Sequence, residues 1–256
     1  MEYYCVILQS TMKIYKVRFF GSKYYKQYIL PELIKFSNIK IVENDNFDIG
    51  IVADYGHIFK PNELNCAKFG FFNFHPSDLP AYRGSTPLQT MILDGIKQSC
   101  VTLIKMNEKI DAGEIISKYI YNLLPSDTTK TLKEKTALIA SKMLNDIFLF
   151  LNGKIMAKKQ NIDKILDTQK LEKKECKINF NDSIIIADRK IRACFSNPKA
   201  YILYNKTRLI IHTAKIIDNC LKIEVIQKEG KRPLTFDEYK KGEKDKILLD
   251  KLSKFC

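Results

Sequence analysis

The sequence predicts an α/β protein: a Rossmann-like, mostly parallel open sheet, followed by a small β-rich domain on the scale of a reduced barrel. Three observations predict it. Strand-like runs alternate with helical periodicity from Met12 to about Leu151, which is the rhythm of βαβ units. One run, FDIGIVA, is continuously apolar, as a parallel strand buried on both faces must be. Composition then changes after Asn152-Gly153, where a lysine-crowded stretch gives way to short β-like segments.

Each element follows from its own residues. KIYKVRFFGS is β-rich and ends at Gly21-Ser22, where the glycine makes a tight strand-to-helix turn. A helical pattern covers Tyr24 to about Phe36, and short strands are expected at Ile39–Val42 and Phe47–Val52. Gly70–His75 is an aromatic-rich strand. Pro87 opens the helix PLQTMILDG, with proline in its first turn and Gly95 at its end. Cys100–Met106 and Glu114–Tyr121 are further strands, and Asp127-Thr128 precedes a long amphipathic helix from Thr129 to about Leu151. These elements make a catalytic domain over residues 1–152.

Residues 153–175 read as a basic linker with little apolar periodicity. Residues 176–256 form the small C-terminal domain: a strand in CKINF, a helix at Asp182–Ala193, and strands at Ala200–Tyr204, Arg208–His212 and Leu221–Gln227. A charged tail runs from Gly230.

The bulk numbers bound the function. At 256 residues the chain can bury a sizeable core, and 45% hydrophobic residues argue for a globular protein. A formal net charge of +14 favours anionic partners, nucleic acid above all, although a lysine-rich solvated surface has the same composition. Seven cysteines stand singly, without the spacing of a zinc knuckle or a redox pair, and read as reduced thiols. No apolar stretch reaches the roughly 18 residues of a membrane span. The start lacks the pattern of a secretory signal or transit peptide, so a cytoplasmic protein without membrane partners is expected.

The chemistry concentrates between Phe72 and Gly113. Asn73 and His75 lie two apart on one strand, so their side chains share a face at the strand's C-terminal end, where open α/β sheets place ligands. The loop PSDLPAYRGSTP is stiffened by three prolines and a glycine. Asp111 opens a loop just past another strand and can reach the same crevice. An amide, an imidazole and a carboxylate together suit acyl transfer to an amine: Asn73 donates to a developing oxyanion, while His75 and Asp111 manage the proton. Asn-x-His alone is weak evidence, since a strand-end histidine is commonly a loop cap. No ligand cluster surrounds His75, so no metal is expected. Asp54-Tyr55-Gly56-His57 follows the Phe47–Val52 strand and lines a ligand pocket or simply enters a helix.

At these residues the chain resembles the folate-dependent formyltransferase family. NFHPSDLPAYRG is similar to that family's Asn-x-His followed by Ser-Leu-Leu-Pro-x-x-Arg-Gly, and KIDAGEII to its Asp-x-Gly-(Asp/Glu)-Ile-Ile segment. The resemblance implies the formyltransferase fold, 10-formyltetrahydrofolate as donor, and Asn73, His75 and Asp111 as the catalytic set. It also implies folate contacts from Ser77, Asp78, Leu79 and Pro80, with Asp78 standing where the family carries leucine.

KINFNDSIIIADRKIRACFSNPKAY resembles the start of the family's C-terminal domain. LKIEVIQKEGKRPLTFDEYKKG is similar to the closing segment of the branch that formylates initiator methionyl-tRNA, with Leu234 in place of methionine. That likeness points to initiator methionyl-tRNA as acceptor, held through backbone phosphates by linker and C-terminal lysines. Two departures stand against it. Only SNIKIVENDN fills the place where the family carries a strand, a basic loop and a helix, and the C-terminal domain is short. An amino-sugar nucleotide is therefore the alternative acceptor, and a non-catalytic RNA-binding relative is the reading from another class.

Overall fold

A computed structural model of the chain describes residues 13–253. The first part contains β1 (Tyr15–Gly21), α1 (Lys23–Leu33), β2 (Ile39–Ile41), β3 (Ile49–Ala53), α2 (Pro61–Leu64), β4 (Phe71–His75) and β5 (Ala81–Gly84). It continues with α3 (Pro87–Asp94), β6 (Gln98–Lys105), β7 (Glu114–Asn122), α4 (Thr129–Lys142) and α5 (Leu144–Leu151). Six strands form one sheet in the order β2-β1-β3-β4-β6-β7. The first four are mutually parallel, and β6 and β7 add an antiparallel edge. The α/β, mostly parallel expectation holds.

Strand alternation divides the core in two. Val17, Ile49, Ile51, Phe72, Phe74, Val101 and Leu103 point to the face covered by Tyr25, Ile29 and Leu33 of α1 and Leu132, Ala137 and Ala140 of α4. Phe47, Val52, Phe59 and Phe71 pack on the opposite face. All five residues of β3 are buried, which explains its unbroken apolar run. Each fully buried Phe or Ile side chain contributes about 1.5–3 kcal/mol of apolar transfer.

The expected single helix from Thr129 to Leu151 is two helices. Met143, at φ −87° and ψ −2°, closes α4 and opens α5, its N–H shared between the carbonyls of Ile139 and Ala140. Periodicity hides the break because the buried stripe stays in phase across it, through Ala137, Ala140, Leu144 and Ile147.

The segment read as a linker has structure as well. Its Leu166–Thr168, strand β8, pairs in parallel with β5, setting Ala81 opposite Leu166, Arg83 opposite Asp167 and Gly84 opposite Thr168. Earlier in the segment, Lys158 bridges to Ile115 of β7. Both contacts are made by backbone, so they leave no apolar period in the sequence.

After β8 come β9 (Lys177–Ile178), α6 (Ile184–Ala193), β10 (Tyr201–Tyr204), β11 (Thr207–Ile217), β12 (Cys220–Lys228), β13 (Leu234–Thr235), α7 (Phe236–Gly242) and α8 (Lys246–Ser253). The strands form a sheet ordered β13-β12-β11-β10-β9. Among the described residues no β9–β13 pairing closes it, so the expected reduced barrel is an open sheet. Its core is separate and includes Ile178, Ile191, Ile202, Leu209, Ile211, Leu221, Ile226, Tyr239, Leu248 and Leu252. The last three elements correct the reading of a mere charged tail: Thr235 caps α7 reciprocally with Glu238, and Tyr239, Leu248 and Leu252 are buried.

The expectation of seven reduced thiols is also corrected. Helix α6 returns Cys194 to Cys176, and the two form a disulfide with a Cα–Cα distance of 6.0 Å. Among the described residues no helix is long and apolar enough to cross a membrane.

Candidate active site

Strand β4 exposes two opposite chemistries. Phe72 and Phe74 enter the core, which turns Asn73 and His75 to the other face at the strand's C-terminal end. Asp111 sits beyond β6 in the left-handed region, at φ 48°. That conformation swings its carboxylate back over β4.

The carboxylate of Asp111 is the hub. One oxygen accepts from the Asn73 amide at 3.2 Å. The other accepts from the Gly84 backbone N–H at 2.9 Å and lies 3.4 Å from Nδ1 of His75. His75 is 4% exposed, and its Nε2 lies 2.8 Å from the Tyr82 carbonyl. A carbonyl only accepts, so Nε2 carries a proton and Nδ1 is the atom that faces Asp111. Asn73 and His75 thus each meet the Asp111 carboxylate. Asn73 gives one amide hydrogen to Asp111, and among the described residues the other has no partner.

All three line one cavity of about 490 Å³. Tyr55, His57 and Phe59 form its aromatic wall, and Leu88 and Ile104 add apolar surface. Lys133 of α4 stands at the same cavity, its ammonium 2.9 and 3.0 Å from the two carboxylate oxygens of Asp54. His57 contacts Glu63 at 2.9 Å. The Lys60 backbone N–H and then His57 hold the Glu63 carboxyl below its ordinary range. The segment Asp54–His57 therefore lines the cavity rather than merely entering a helix.

Ser77, Asp78, Leu79 and Pro80 lie on the chain between β4 and β5. None of them lines the cavity. Ser77 and Leu79 are fully buried, with Ser77 Oγ donating to the Ala81 carbonyl at 2.7 Å and its carbonyl accepting from Thr102 Oγ1 at 2.6 Å. Asp78 is turned to Lys118, which also donates to the Leu79 carbonyl. The Leu79–Pro80 peptide is cis. These residues belong to the loop that carries the Tyr82 carbonyl and the Gly84 N–H. Gly21 likewise stands away from the cavity, its Cα so close to the Ala53 carbonyl that a Cβ would sit 2.2 Å from it.

Two residues that sequence reasoning passed over hold the site from behind. Gln160 donates to the carbonyls of Asp111 and Gly113 at 2.8 and 2.7 Å and accepts from Arg83. Thr168 donates to the Arg83 carbonyl at 2.8 Å and accepts from the Thr86 N–H at 3.3 Å. Both lie in the lysine-rich segment, and only Arg83 was visible beforehand as part of the PSDLPAYRG loop.

Known proteins carry the same pattern. Residues 24–147 match the family profile described as formyl transferase, and residues 170–220 match formyl transferase, C-terminal domain. A methionyl-tRNA formyltransferase of Buchnera aphidicola is 37% identical over 70% of this chain. The match covers 57% of that relative, so the chain spans little more than half its length. A methionyl-tRNA formyltransferase of Rickettsia bellii is 31% identical over 81% of this chain and 75% of its own. Among solved structures, a methionyl-tRNA formyltransferase from Clostridium thermocellum superposes with a TM-score of 0.70 at 19% identity, covering 84% of this chain and 98% of that one.

Proposed function

This chain belongs to the formyl transferase family, and from that premise we propose that it moves a formyl group from 10-formyltetrahydrofolate to the amino group of initiator methionyl-tRNA. The observation that carries the chemistry is the convergence of Asn73, His75 and Asp111 on one cavity. The donor supplies an activated formyl carbon. A cavity of about 490 Å³ walled by Tyr55, Phe59 and His57 has the size and flatness that suit a pterin ring.

The roles follow from the contacts. Asn73 turns its free amide hydrogen to the formyl oxygen as the incoming amine bonds the carbon and charge gathers there. Asp111 accepts the proton that the amine sheds, directly or through Nδ1 of His75. That pair then returns the proton to the departing nitrogen. No protein nucleophile is needed, because the acceptor amine attacks by itself.

Charge placement supports the acceptor. Residues 153–256 hold 25 of the 43 Lys and Arg but only 14 of the 29 Asp and Glu. A second cavity of about 370 Å³, lined by Lys170, Asn197 and Ser196, shares Gly56, Ser85 and Gln89 with the first. Lys170 thus stands beside the first cavity, and the work belongs beside translation in the cytoplasm.

The test is formyl transfer to charged initiator methionyl-tRNA over a salt series. Transfer that weakens with salt is the expected outcome. Donor binding without transfer to tRNA would overturn the acceptor assignment in favour of an amino-sugar nucleotide.

A further inference from the structure

Gln160 is half-buried and makes every hydrogen bond its amide geometry allows toward the site. Its orientation is fixed by its partners. Arg83 only donates, so the amide oxygen faces Nε and Nη2 at 3.2 and 2.6 Å. The carbonyls of Asp111 and Gly113 only accept, so the amide nitrogen faces them. The turn it grips needs a grip. Asp111 holds a positive φ of 48°, and Gly113 is pressed so close to β6 that a Cβ would meet the Lys105 carbonyl at 1.9 Å. Arg83, on the other side, precedes Gly84, whose N–H supports the Asp111 carboxylate.

We propose that Gln160 is a positioning residue that couples the Arg83-Gly84 loop to the Asp111–Gly113 turn and so aims the Asp111 carboxylate at Asn73 and His75. The inference rests on the reading of Asp111 as a catalytic residue. It makes the basic segment part of the catalytic apparatus, without contact to either substrate. Its effect lies on kcat, because misplacing a reacting group by about 1 Å costs on the order of 10²-fold.

The experiment measures kcat and donor KM for wild type, Gln160→Ala, Gln160→Glu, Asp111→Asn and the Gln160→Ala/Asp111→Asn double variant. Gln160→Glu is the sharper probe: it keeps the partner of Arg83 and sets an oxygen against two carbonyl oxygens. Both Gln160 variants are expected to lose on the order of 10²-fold in kcat with donor KM within about twofold. On top of Asp111→Asn, Gln160→Ala is expected to add less than about twofold, the signature of one acting through the other. A wild-type kcat in Gln160→Glu, or full multiplication in the double variant, would overturn the inference. Should Gln160→Ala fail to fold, Gln160→Glu decides alone. Wild-type turnover in Asp111→Asn would instead sink the reading of Asp111, which is a separate result.

Discussion

Asp111 receives hydrogen bonds on both oxygens while facing an imidazole, and Asn73 keeps one donor in reserve. Asn73→Ala should therefore lower kcat by about 10²–10³-fold with little change in donor binding, as loss of a single oxyanion donor does. Steady-state kinetics with folate titration checks it, and a change within a few-fold would refute the role. Asn73 and His75 were legible because strand alternation alone puts them on one face. Gln160 and Thr168 were not, since their bonds run to backbone carbonyls 49 and 85 residues away and leave no period or motif. The free thiols give a test of burial. Cys66 is exposed, whereas Cys100 is buried, and burial, then the Asp78 charge, pushes its thiol up to about 11. At pH 8 Cys100 stays protonated, so iodoacetamide should modify Cys66 well before Cys100; peptide mass spectrometry showing the reverse order would contradict the packing.

At the scale of elements, the pairing of β5 with β8 joins the loop that carries Gly84 to the segment that follows α5. Gly84 makes it possible: its φ is 106°, and a Cβ there would lie 2.3 Å from the Thr168 carbonyl. Gly84→Ala is expected to cost about 1–3 kcal/mol, read as a lower denaturation midpoint, and to reduce turnover as its N–H leaves Asp111. Unchanged stability would mean the two strands separate without consequence. Thr128→Ala, by contrast, removes only the side-chain oxygen that caps α4. It should lower the unfolding free energy by about 1 kcal/mol, read as a lower urea midpoint with an unchanged m-value, and leave kcat alone. Local chemistry announced some boundaries in advance. Pro87 and Gly95 bracket α3 where expected, with Gly95 at φ 70° in the cap. The break at Met143 and the strand β8 needed tertiary partners and could not be read locally.

Across the whole molecule, positive charge gathers after residue 152 while Asn73, His75 and Asp111 lie before it. If the acceptor is held through its phosphates, raising salt from 50 to 200 mM should raise the KM for tRNA at least about tenfold, the slope of roughly two neutralised phosphates. The donor KM should move far less, and equal sensitivity of both would contradict a separate phosphate platform. Sequence reasoning reached the fold class and the cysteine positions, but not the Cys176–Cys194 disulfide, because pairing depends on where α6 turns back. The β5–β8 pairing also bears on synthesis. A ribosome releases the chain from its N-terminus, and domains fold as they emerge at about 5–20 residues per second. The large sheet can close once α5 is out, yet Gln160 and Thr168 are still to come. The nascent protein therefore passes through an interval in which its core is built and the Arg83 and Asp111 loops are untied, and it matures only when the basic segment is delivered.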